Sequence, residues 1–169
     1  MLYFAYGSNM SIFRLKARVP SADPLGCYSL KEHDLRFHKL SRKDHSGKGD
    51  AYFTANASDV IYGVLFKINP AEKSRLDAFE GLGKGYEEKT VDVIDQNGSV
   101  IKAITYVASN SGIDTTLKPY SWYMNHVLIG AKEASLPVEY IENKISSVEA
   151  IEDPDRERDT SERAIYNPR

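Results

Sequence analysis

Tyr86-Glu87-Glu88-Lys89-Thr90-Val91-Asp92-Val93-Ile94 is followed by Gln96-Asn97-Gly98 and then by Val100-Ile101-Lys102-Ala103-Ile104-Thr105-Tyr106-Val107-Ala108. An Asn-Gly pair readily adopts the positive backbone angles of a tight hairpin turn. The flanking runs therefore read as two antiparallel strands, Tyr86–Ile94 and Val100–Ala108. Just upstream, Gly81, Gly83 and Gly85 stop a helix from reaching this hairpin. That helix begins at Asn69-Pro70-Ala71-Glu72. Asn caps, Pro takes the first helical position, and Glu completes a capping box. Further upstream, Val60–Ile68 is rich in β-branched and aromatic residues and reads as a strand, as does Ala51–Ala55. Arg42–Asp50 is polar, holds two glycines and reads as a loop. A patchy alternation over Tyr28–Leu40 predicts further strands.

At the start of the chain, the short apolar run Leu2–Tyr6 reads as a buried strand ending in the turn Gly7-Ser8-Asn9. Ser8 or Asn9 would cap a helix over about 10–18, with Ile12, Phe13 and Leu15 facing inward; Pro20 and Pro24 end it. Downstream of the hairpin, Pro119–Ala131 and Pro137–Ser147 read as helices. Antiparallel hairpins with a few helices predict an α+β fold: a small mixed, mainly antiparallel β-barrel flanked by helices. The last stretch, 150–169, carries six acidic and four basic residues. Such a segment lacks the apolar groups for a core, which predicts a charged tail, solvated or ordered by a partner, after a domain over 1–149.

With 169 residues, the chain has the length of one domain, or of one domain and a tail. Folding at this size buries roughly 70% of the unfolded surface, so no staples are needed. A net charge of −2 argues against nucleic-acid binding, which calls for a basic face. A single cysteine, Cys27, excludes an intrachain disulfide and a Cys-rich metal site. No stretch approaches the roughly 20 apolar residues of a membrane helix. The opening residues lack the basic start of a signal peptide, which leaves the cytoplasm as the expected compartment.

Three places could carry chemistry. Tyr6-Gly7-Ser8-Asn9 leads from a buried strand into a helix start. There, backbone N–H groups and two polar side chains can meet a carboxylate or an oxyanion. Glu80 sits at a helix C-terminus between Phe79 and Gly81. The negative end of the helix dipole and apolar neighbours (Phe79, Leu82) would raise its pKa, as a general base near neutral pH requires. Tyr120, Trp122 and Tyr123 could line a pocket with a phenol aimed at a ligand. Each has a plainer alternative: an ordinary helix cap, a solvated surface glutamate, a helix packing its aromatic side. The four histidines show no metal-ligand spacing, and Ser8 lacks a nucleophile-elbow motif.

In order, the chain carries Phe4-Ala5-Tyr6-Gly7-Ser8-Asn9-Met10, Ile61-Tyr62-Gly63-Val64-Leu65-Phe66, Leu76-Asp77-Ala78-Phe79-Glu80-Gly81 before Gly85-Tyr86, and Gly130-Ala131-Lys132-Glu133 before Leu136-Pro137-Val138-Glu139-Tyr140. This order and spacing resemble the γ-glutamylcyclotransferase family over about residues 2–148. The resemblance implies a small mixed barrel and an intramolecular aminolysis, in which a γ-glutamyl compound closes to 5-oxoproline and releases an amine. It implies no cofactor and no metal. Glu80 matches the catalytic residue, and Tyr6, Gly7, Ser8 and Asn9 match the substrate-cradling loop. Tyr123, seven residues before Gly130, matches a ligand-contacting tyrosine. Arg14 and Tyr86 stand as supporting residues. The expected partner is a small-molecule γ-glutamyl substrate, with neither nucleic acid nor membrane; a homodimer stays open. The pair Glu87-Glu88 departs from relatives that often carry a basic residue near the tyrosine. Three alternatives remain: release of a γ-glutamyl group from an amine or biosynthetic intermediate, a ligand-binding module without turnover, and an interaction protein that uses the charged tail.

Overall fold

The computed structural model of the chain describes residues 1–166. Its elements run β1 (Leu2–Ala5), α1 (Ile12–Arg18), β2 (Asp23–Lys31), β3 (His33–Leu40), β4 (Gly47–Phe53), β5 (Val60–Lys67), α2 (Lys73–Glu80), β6 (Tyr86–Ile94) and β7 (Val100–Ala108). There follow α3 (Ser121–Glu133), α4 (Val138–Tyr140), which runs on into a wider π-type turn at Ile141–Ser146, and α5 (Arg156–Ala164).

The hairpin forms over the expected residues, from Tyr86 opposite Ala108 to Ile94 opposite Val100. Gly98 takes a φ of 85°. The Asp95 carboxylate accepts from the N–H groups of Asn97 and Ser99, both at 2.8 Å, so the turn is held by its own side chain. This local unit becomes part of a closed barrel in the order β1-β5-β2-β6-β7. Neighbours are antiparallel except for β1 and β7, which pair in parallel where Tyr3 meets Ile104. The architecture is the small α+β barrel expected. Phe4, Ile61, Leu65 and Phe66 are completely buried, because the short β1 and the apolar β5 run side by side through the core. Strands β3 and β4 form a separate two-stranded sheet. Among the described residues no helix is long and apolar enough to cross a membrane.

Several local expectations are corrected. The stretch read as a loop ends earlier, since β4 begins at Gly47. Asp44, Ser46 and Asp50 in it are buried, and Asp50 pairs with His38 at 2.8 Å and accepts from the Ala108 N–H at 2.7 Å. Polarity suggested solvent there because those partners lie far away in sequence. Residues 8–10 form a 3₁₀ turn, and α1 starts only at Ile12. Leu15 is buried and Ile12 packs half-buried against the core as expected, but Arg14 is buried as well and Phe13 is 53% exposed. Asn69 caps as expected, accepting from the Ala71 N–H at 3.0 Å. Glu72 does not close the capping box; its carboxylate accepts from the backbone and hydroxyl of Ser21 instead.

The charged segment after 149 departs most from expectation; its residues 167–169 lie outside the described residues. Ile151 bridges to Tyr120, and Asp155 caps α5 by accepting from the Arg158 N–H at 3.0 Å. The segment docks through ionic groups rather than apolar ones. The buried Asp153 carboxylate accepts from Trp122 Nε1 at 2.7 Å and from both faces of the Arg158 fork at 2.6 Å. Glu162 meets Arg14 and His126, and the Tyr166 hydroxyl reaches His126 and Ser11. Charges that spoke for solvation are thus spent on ion pairs within the segment and, through Glu162, with Arg14 of α1 and His126 of α3.

This docking carries a pH signature. The Arg158 fork, helped by Trp122, holds Asp153 at about 2 against burial. Burial pushes Glu162 up, but His126 and Arg14 outweigh it and hold that carboxyl at about 2 as well. Both values are depressed on folding, so their stabilisation, roughly 1–3 kcal/mol each, is present above the ordinary carboxylate range and is lost as pH falls through about 2. We expect α5 to stay docked at pH 5 and to release only as pH falls toward about 2. Trp122, the single tryptophan, is the reporter. An emission spectrum unchanged until the whole chain unfolds would refute this.

Candidate active site

Strand β1 ends in the core, and Gly7 turns the chain so sharply that Met10 N–H already bonds to Gly7 O at 3.0 Å. Ser8 and Asn9 are buried in this turn. The turn is pinned from two sides. The Tyr123 hydroxyl, carried by α3, accepts from the Gly49 N–H of β4 at 2.9 Å. A side chain added at Gly7 would begin 3.1 Å from that same hydroxyl. Gly130, two turns further along α3, lies directly against the backbone of Met10 and Ser11.

Helix α2 brings in Glu80. Leu76 is fully buried and anchors the helix, and Gly81 closes it with a left-handed φ of 75°. The carboxylate therefore emerges at the helix end, facing the turn. Its Oε1 accepts from the Tyr3 hydroxyl at 3.1 Å and from Asn9 Nδ2. Asn9 Oδ1 in turn accepts from Arg18 at 3.0 Å. Among the described residues, Oε2 has no donor. Burial raises the Glu80 pKa; Arg18, the Tyr3 hydroxyl, Arg14 and Lys39 pull it down without prevailing. The direction is the one expected, but the walls are different. Phe79 and Leu82 are 41% and 38% exposed. The pocket around Glu80 is instead walled by Tyr3, Tyr6, Tyr86, Tyr106 and Tyr123.

These phenols are fixed. Tyr6 donates to Tyr106 O, Tyr86 donates to Gly49 O, and Tyr106 donates to Asp77 at 2.5 Å. Burial raises the pKa of each of the five, so all stay neutral near pH 7. The site thus offers a carboxylate with one free oxygen, held in place by Asn9 and Tyr3, and a rigid aromatic wall. Such a set can hold a small polar group and move a proton.

Of the residues singled out from the sequence, Glu80, Tyr6, Gly7, Ser8, Asn9, Tyr123 and Tyr86 all line this one pocket. Arg14 does not. It faces a wider outer chamber of about 310 Å³, where Glu162 and His126 engage its guanidinium. Tyr3, Gly49 and Tyr106 were missed. Tyr3 reaches the pocket only because β1 is bridged to β7. Gly49 lay in a segment read as loop. Tyr106 belongs to the hairpin, whose pocket-facing side is set by barrel closure. The inner and outer spaces share Ser8, Glu80, Tyr86 and Tyr123.

Residues 60–143 match the model of the AIG2-like family. Over 153 residues the chain is 34% identical to a protein of Bos taurus named gamma-glutamylcyclotransferase, covering 88% of this chain and 78% of that one. A Homo sapiens protein of the same name is 33% identical over the same coverage. A solved structure described as a gamma-glutamyl cyclotransferase superposes with a TM-score of 0.86 at 29% identity, covering 99% of each chain.

Proposed function

This chain belongs to the γ-glutamylcyclotransferase family, and from that premise we propose that it closes a γ-glutamyl amino acid or dipeptide to 5-oxoproline and a free amine, with Glu80 as the proton carrier. One observation carries the reading. The Glu80 carboxylate lies against the Ser8–Asn9 turn with Oε1 held by Asn9 and Tyr3, and with Oε2 free to take a proton.

The chemistry sets the demands. The α-amine of a γ-glutamyl group is protonated at neutral pH and has no lone pair for attack. Glu80 accepts a proton from it. The freed nitrogen then attacks the γ-carbonyl carbon of the same molecule and forms a five-membered ring. Holding the chain folded in this way corresponds to an effective molarity of up to about 10⁵–10⁸ M. The oxyanion is stabilised by donors of the Tyr6–Asn9 turn, and collapse breaks the bond to the departing nitrogen. Overall the attacking nitrogen loses two protons and the departing nitrogen gains two, which one carboxylate can relay in succession. Tyr123 and Tyr86 keep the substrate folded by presenting a rigid wall.

The test is direct. Purified protein incubated with γ-glutamyl amino acids and γ-glutamyl amines is expected to release 5-oxoproline, read by mass spectrometry. A folded protein that produces none from the whole panel, yet binds one member, would favour the binding-module alternative.

A further inference from the structure

The outer chamber has a charge that the chain as a whole does not share. The protein carries a net −2, yet eight cationic side chains line this space against only three acidic ones. Three of the eight are already paired: Arg14 with Glu162, Lys48 with Asp44 and Arg158 with Asp153. Among the described residues, the other five, Arg18, Lys39, Arg42, Lys43 and Lys84, have no carboxylate in ion-pair range.

Lys39 is the informative one. It is only 6% exposed. Its ammonium lies 4.4 Å above the Tyr86 ring and, among the described residues, has neither a hydrogen-bond acceptor nor a counter-ion. Gly85, with a φ of 108°, leaves room for it: a side chain there would begin 3.2 Å from Lys39 Cε. The side chain is buried but its ammonium opens onto the chamber, and a partly desolvated ammonium with no counter-ion favours an anion in the space before it. Arg18 flanks the same space, stacked 5.4 Å from the Phe79 ring and tied to Asn9.

Geometry then decides what would come there. The inner pocket opens to the outer chamber past Glu80, Ser8, Tyr86 and Tyr123. With the γ-glutamyl group folded inside, the other half of the scissile amide extends into the chamber. We propose that this chamber selects γ-glutamyl substrates whose departing amine is an acidic amino acid, one carboxylate meeting Lys39 and the second meeting Arg18 or the rim lysine Lys84. A concave space lined mostly by one sign of charge concentrates the field of these cations on the departing group. The inference rests on the reading of the inner pocket given above, and deepens it.

The decisive pair is γ-glutamyl-glutamate against γ-glutamyl-glutamine, which match in size and differ by one charge. We expect kcat/KM for the glutamate peptide to be higher by about tenfold, the effect of one charged hydrogen bond. Raising salt to about 0.5 M should shrink that ratio, because solvent-facing charges are screened. Lys39→Met should bring the ratio toward one; Lys84→Gln, on the exposed rim, keeps the test available if Lys39→Met does not fold. Calorimetry of both peptides on Glu80→Gln gives a readout that needs no turnover. Equal rates and equal binding for the two peptides overturn the chamber proposal alone. Selective binding of the glutamate peptide without 5-oxoproline sustains it and overturns the cyclisation reading. No binding of either peptide overturns both.

Discussion

Glu80→Gln is expected to lower kcat for 5-oxoproline formation by about 10²–10⁴-fold, the usual contribution of a positioned acid–base group. The amide keeps the shape and the Oε1 acceptor used by Tyr3 and Asn9. What it loses is the ability to take a proton from the substrate ammonium. Stability should move the other way. Burial raises the Glu80 pKa above the ordinary 4.5. A carboxyl whose pKa is raised on folding stabilises the fold at low pH, and that contribution disappears as pH rises through the shifted value. Above that shifted value the wild type carries an unfavourable buried charge that the variant does not, and there the variant should melt at the same temperature or higher. The same shift moves the acid limb of the wild-type kcat/KM profile upward from the ordinary carboxyl value, since only ionised Glu80 accepts the proton. A Glu80→Gln variant retaining activity within threefold would assign the proton transfer to another group. A melting temperature several degrees lower would mean that the charge is held by more than the contacts described.

The Glu80 carboxylate and the pocket around it are unequally visible in the amino-acid sequence. Glu80 could be found because its position is local: a helix started by Asn69-Pro70 and stopped by Gly81 puts the intervening carboxylate at the C-terminus. The hairpin at Asn97-Gly98 was legible for the same reason, since turn chemistry is written in adjacent residues. The walls of the pocket were not. Tyr3, Tyr106 and Gly49 meet there because β1 closes onto β7 and because β4 starts inside a polar stretch. Closure is a contact between residues about 100 apart, for which no local signal exists. Charge was the most misleading feature. Asp50, Asp153 and Glu162 look like surface groups until His38, Trp122, Arg158 and Arg14 are brought to them. Buried polar groups are recognised only with their partners, and most of those partners come from elsewhere in the chain.

Gly130→Ala should destabilise the protein by about 3 kcal/mol, at the upper end of the ordinary cost of overpacking. Intrinsic preference points the opposite way, because alanine is favoured over glycine inside a helix by about 1 kcal/mol. Packing decides the sign. A methyl at this position of α3 would begin 2.7 Å from Met10 Cβ and closer still to the backbone of Met10 and Ser11. A flexible side chain could swing aside at little cost, but here the obstacle is main chain. Either α3 or the turn at residues 8–10 must move. The turn is the weaker partner, being a single 3₁₀ turn, whereas α3 is a 13-residue helix with seven buried residues. Displacing it carries Asn9 away from Glu80 Oε1 and Ser8 away from Tyr123. At 2–4 °C per kcal/mol for a chain of this size, the melting temperature should fall by roughly 6–12 °C. Activity at 25 °C, where the variant is still folded, should fall as well, because a misplacement of tenths of an ångström at the turn reaches the carboxylate directly. If Gly130→Ala instead melts at or above the wild-type temperature, helix propensity has outweighed the contact, and the close approach of α3 to Met10 cannot be what positions Asn9.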